Sequence, residues 1–159
     1  MAAYNISSSL IRAVRDNNIV ECRRLLNTGE ANVNEDRDQY GNTALHIASI
    51  YGYLETAERL ASSGADVNII SSDGRTALHI ASYYGHLGIV QLLLCQGADM
   101  SIRDTYGDTA LDWASNYDNL KVADCLRRWP WTMAIIALKE DLAVYHLLDA
   151  TTLIDLWQY

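Results

Sequence analysis

The chain has no phenylalanine, one proline and three cysteines among 159 residues, and acidic side chains outnumber basic ones 20 to 12. Each shortage narrows the range of functions. A formal charge of −8 opposes binding to phosphate polyanions, whose affinity comes from clustered Lys and Arg. No basic run exceeds two residues, as at Arg23–Arg24 and Arg127–Arg128. Neither nucleic acid nor a membrane is therefore expected as a partner. No uninterrupted apolar stretch approaches the ~18–20 residues that cross a bilayer. The opening "MAAYNISSSLIRAVRDN" has no long apolar run behind a basic start, so no secretory signal is evident. Cys22, Cys95 and Cys125 are odd in number and lack C-x-x-C spacing. They read as buried thiols in a reducing compartment, and a cytoplasmic or nuclear location follows.

What the chain does have is apolar content and repetition. Half its residues are apolar, enough for a continuous core in one domain of this length. The stretch "ALHIASIYGYL" (Ala44–Leu54) returns 33 residues later as "ALHIASYYGHL" (Ala77–Leu87) and again as "ALDWASNYDNL" (Ala110–Leu120). The copies span about 38–70, 71–103 and 104–128. An earlier segment, about 7–37, matches the later part of the unit with one extra residue in its final loop.

Each copy has the same local grammar. Thr43, Thr76 and Thr109 can cap a helix by accepting an orphan backbone N–H. A short apolar helix follows, in which Ala48, Ala81 and Ala114 allow close helix packing. Gly52 and Gly85 break it, a second helix runs with apolar spacing such as Leu87, Val90, Leu93 and Leu94, and Gly64 and Gly97 stop that one. One helix pair cannot bury its own apolar face, so neighbours must stack.

Over residues 7 to 128 the pattern resembles the ankyrin repeat, a unit of about 33 residues with a T-P-L-H signature. "GNTALHIAS", "GRTALHIAS" and two "GAD" turns carry the likeness. The resemblance implies an all-α solenoid of four helix-turn-helix units joined by hairpin loops. It also implies that His46 and His79 bond backbone between adjacent units. The chain departs from the family pattern in places: alanine replaces the signature proline throughout, and the fourth copy has Asp112 for His and Asp118 for the helix-breaking glycine. The pattern ends at "RRWPWTM".

Residues 129–159 read as a helical C-terminal segment. Pro130 can end the last repeat helix or open the next at its first position. Met133, Ile136, Ala137, Glu140, Val144, Leu147 and Leu148, largely apolar, follow at helical spacing, and Asp149–Thr152 can cap a short "LIDLWQY" helix. Two roles stay open: a cap over the last repeat, or an apolar docking element for a second protein or another copy.

Catalytic constellations are absent from the sequence. No Ser/His/Asp or Cys/His set shares a motif, no phosphate loop appears, and no metal-ligand spacing occurs. His86 reads as structural and His146 as a packed or surface residue. No cofactor is expected, and the reading is a non-catalytic module that binds a protein or peptide. The resemblance places the target on a concave face built from hairpin tips and first-helix ends. Its residues here are Gln39, Tyr40, Asn42, Ile50 and Tyr51; then Ser72, Asp73, Arg75, Tyr83 and Tyr84; then Thr105, Tyr106, Asp108, Asn116 and Tyr117. Layers about 10 Å apart should align Tyr51, Tyr84 and Tyr117 as a ladder of rings. Such rings either stabilise the stack or anchor a partner.

Overall fold

The computed structural model describes residues 8–144, with backbone alone for 133–135 and 137–144. The expected "LIDLWQY" helix, its caps and His146 lie outside the described residues. Among the described residues eight helices occur in order: α1 (Ser9–Arg15), α2 (Ile19–Thr28), α3 (Ala44–Tyr51), α4 (Leu54–Ser62), α5 (Ala77–Tyr84), α6 (Leu87–Cys95), α7 (Ala110–Asn116) and α8 (Leu120–Val144). Among the described residues there is no strand. The chain divides into two units at Leu126 and Arg127.

In the first unit, α1, α3, α5 and α7 pack side by side, and α2, α4 and α6 form a second row. The threonine positions explain where the first-row helices begin. Thr76 Oγ1 accepts the His79 N–H and Thr109 Oγ1 accepts the Asp112 N–H, satisfying donors that a helix start leaves orphaned. Ala48, Ala81 and Ala114 are fully buried, and so bring the helix backbones close. Around them lie Leu10, Ile11, Leu45, Leu60, Leu78, Ile89 and Leu93, also wholly out of water. Burial at that level is worth about 1.5–3 kcal/mol per large aliphatic side chain.

Polar bonds fix the register between layers. The His46 Nδ1 accepts from the Thr43 N–H (3.2 Å) and hydroxyl (2.8 Å), while its Nε2–H donates to the Arg75 carbonyl of the next unit (3.0 Å). His79 repeats this with Thr76 and the Asp108 carbonyl (3.2 Å). Because a carbonyl only accepts and an amide N–H only donates, both rings must be the neutral Nε2–H tautomer. In the fourth unit Asp112 keeps the local half alone: its Oδ2 accepts from the Thr109 N–H and hydroxyl. A carboxylate has no N–H to send forward.

Helix ends interlock as well. Gly52 and Gly85 take left-handed backbone at φ +75°, and the ring of His86 and the amide of Asn119 fill the space where a Cβ would stand. Asn119 Nδ2 donates to the carbonyls of Ser82 (2.8 Å) and Tyr83 (2.6 Å), closing the end of α5. Asp118 adopts the same left-handed turn at φ +57° with a side chain present.

Two expectations change. Cys22 is buried, but Cys95 is exposed at the last position of α6, on its solvent side, and Cys125 is only partly covered. And α8 runs through Pro130 instead of stopping or starting there. The proline has no N–H for the Leu126 carbonyl four residues back, so the helix ladder loses a bond at the residue that closes the first unit.

Candidate functional site

Between the hairpin loops and the ends of α3, α5 and α7, the first unit opens into a groove of about 390 Å³. The loops that wall it are rigid for a local reason. Asp38 Oδ1 accepts the N–H groups of Tyr40 and Asn42, both at 2.9 Å, and Gly41 N–H returns to the Asp38 carbonyl. Asp104 does the same for Tyr106 (2.9 Å) and Asp108 (3.0 Å). Successive loops are tied by Ser72 N–H to the Tyr40 carbonyl and Thr105 N–H to the Asp73 carbonyl, both 3.0 Å.

Tyr40, Asn42, Ile50, Asp73, Arg75, Tyr83, Tyr84 and Tyr117 line the groove, together with Ser71, His79, Ile80 and Trp113. Gln39, Tyr106 and Asn116 are exposed but lie outside its lining, as does Tyr51. Asp108 is half-buried and serves the hairpin and His79 through its backbone.

Tyr51, Tyr84 and Tyr117 do not touch one another ring to ring. Each is about half exposed, at 48%, 49% and 51%. Contacts instead radiate from Tyr83, which meets Tyr84 (4.7 Å), Tyr117 (4.4 Å) and Trp113 (5.4 Å) edge to face. Trp113 stacks on Tyr117 at 5.4 Å, whereas Tyr51 stacks on Tyr53 of its own unit. Such pairs are worth about 0.5–1.5 kcal/mol each beyond burial, so the cluster holds its own shape. Trp113 escaped the sequence reading, although the period carries a signal for it: it fills the slot held by Ile47 and Ile80.

Arg75 lies inside the cluster, its guanidinium carbon 4.4 Å from the Trp113 ring centre and 5.7 Å from that of Tyr106. Its Nε is 3.5 Å from Asp104 Oδ2, which also accepts Trp113 Nε1–H at 2.9 Å. Burial alone would raise the Asp104 carboxyl, but the Asp108, Trp113, Tyr106 and Arg75 donors outweigh it and hold the group below its ordinary value. His79 is held low by burial, and so stays neutral. Among the described residues no cluster of three or more His, Cys, Asp or Glu could hold a metal, and no helix is long and apolar enough to cross a membrane.

Comparison with known proteins matches residues 45–94 and 81–127 to the family model for ankyrin repeats in many copies. The chain is 40% identical over 74 residues to the ARF GTPase-activating protein GIT2 of Homo sapiens, an overlap covering 46% of this chain and 10% of that protein. It is 37% identical over 64 residues to ankyrin repeat domain-containing protein 29 of Danio rerio, covering 40% of this chain and 21% of that one. The chain therefore spans only about a tenth to a fifth of the relatives it matches.

Proposed function

Since this chain belongs to the ankyrin-repeat family, whose repeats are protein-interaction modules, we propose that it binds an extended segment of a partner protein in the aromatic groove, without catalysis. One observation carries this reading: a preformed groove whose rings are braced against each other yet left half open. Braced aromatic rings give large contact area with little entropy left to lose, which is why tyrosine and tryptophan recur as interface anchors. The binding residues are those that line the groove, Trp113 included, and the setting is the cytoplasm or nucleus.

Peptides selected on the whole chain from a random library should lose about 2 kcal/mol, roughly 30-fold in affinity, when Tyr84 or Tyr117 is changed to alanine. The exposed Arg24→Ala variant is the control. Titration calorimetry with parallel melting curves separates binding from stability. Full affinity in a tyrosine variant that melts lower would mean that the rings only brace the fold.

A second reading gives residues 129–159 a docking role toward another protein or a second copy, and the solvent exposure of Trp131 (74%) and Ile136 favours it. In that case light scattering should register a mass above that of one chain, reverting to one chain in Trp131→Glu. A single-chain mass for both would remove self-association.

A further inference from the structure

Resting on the peptide-binding reading above, we infer that the occupant is anchored by a basic side chain, lysine or arginine, seated on Asp73 among the rings of Tyr40 and Tyr84. The groove's charges differ sharply in what they have left to offer. Asp104 is saturated by two backbone N–H groups, the Trp113 indole and Arg75. Arg75 is paired with Asp104 at 3.5 Å and packed over the Trp113 ring, its Nε making no hydrogen bond. His79 is committed at both nitrogens and neutral. Asp73 stands apart. It is exposed at its hairpin tip, its backbone is pinned through the bond to Thr105, and its carboxylate meets no hydrogen bond or ion pair among the described residues.

With Arg75 paired to Asp104, which is buried behind the lining, Asp73 is the exposed carboxylate of the groove, within a chain that is itself at −8. An apolar occupant would strip water from that carboxylate and give nothing back, and an acidic one would add repulsion. A basic one pairs with it while laying its cation near tyrosine faces, an attraction that strengthens as water leaves. The groove already shows this compatibility, because the Arg75 guanidinium sits over the Trp113 ring, 4.4 Å from its centre.

The peptides selected on the wild-type chain are the probe. Each should carry a lysine or arginine whose replacement by glutamine weakens binding about tenfold or more, with the affinity falling as salt rises. Asp73→Lys should weaken the same peptides at least as much, and a glutamate at the peptide's basic position should restore binding to that variant. Selected peptides that need Tyr84 but ignore Asp73→Lys would overturn the basic anchor and leave the groove standing. Peptides indifferent to both variants, or a library that yields no binder, would overturn the groove as well.

Discussion

Replacing His46 with alanine should lower stability by about 3–5 kcal/mol, and the melting temperature by roughly 10 °C, in a chain of this length. The ring is only 1% exposed, and the atoms around it depend on it. Its loss strands the buried Thr43 N–H and the part-buried Arg75 carbonyl, the former at about 1–3 kcal/mol, and leaves a cavity. Asp112→Ala is the informative contrast. It removes the same local cap, worth about 1 kcal/mol, but no bond to a following unit. Equal losses for the two variants would place the stabilisation in the helix cap and not between layers.

The same ring makes the fold sensitive to acid. Burial, partly offset by the Arg75 carbonyl, pushes His46 down to about 4 from its ordinary value of 6.5. A proton on Nδ1 would face the Thr43 N–H. Between these two values the unfolded chain binds a proton that the folded chain refuses. The contribution is therefore whole above pH 6.5, fades as pH falls, and is gone by about pH 4. It amounts to about 3 kcal/mol. Urea midpoints at neutral pH and near pH 4.5 should differ accordingly in wild type and less so in His46→Ala. An identical pH slope in the variant would assign the acid sensitivity elsewhere.

The second large effect comes as a pair of opposite sign. Gly85→Ala should cost about 2–3 kcal/mol and weaken peptide binding too. Its φ of +75° is strained for any side chain, and the new Cβ would stand 2.6 Å from Asn119 Oδ1. Side-chain ends can usually retreat. This one is tethered by bonds to Ser82 and Tyr83, so retreat opens the end of α5 beneath the groove's central ring. In the matching slot of the next unit, Asp118→Gly should gain about 1 kcal/mol by relieving the turn at φ +57°. Denaturant titration of both checks the signs, and destabilisation by Asp118→Gly would show that the aspartate has a compensating role there.

Much of this architecture is legible in one dimension. Thr43, His46 and Gly52 recur at the same spacing because each layer must solve the same problems: starting a helix, holding the next layer, and turning back. Layer-by-layer equivalence also located Tyr84 and Tyr117 at the groove. It failed for the ring contacts, because a period aligns Cα positions and says nothing about where a side chain turns. Tyr51 turns to Tyr53, and Tyr83, in a slot held by Ile50 and Asn116 in neighbouring copies, becomes the hub. The sequence places Arg75 on the partner-facing side, but not its contacts with Trp113 and Asp104. Pro130 was misleading because a proline's effect on a helix depends on what surrounds it.

Near-identical layers carry a hazard: whatever lets one accept the next could let separate molecules join end to end, and an interface of that kind does not close on itself. Asp112 bears on that hazard. A hairpin carbonyl brought against the fourth layer would meet a carboxylate oxygen instead of an imidazole donor, so oxygen would oppose oxygen where His46 and His79 make their links. A single exchange of donor for acceptor thus takes from the fourth layer the forward link that His46 and His79 make in theirs.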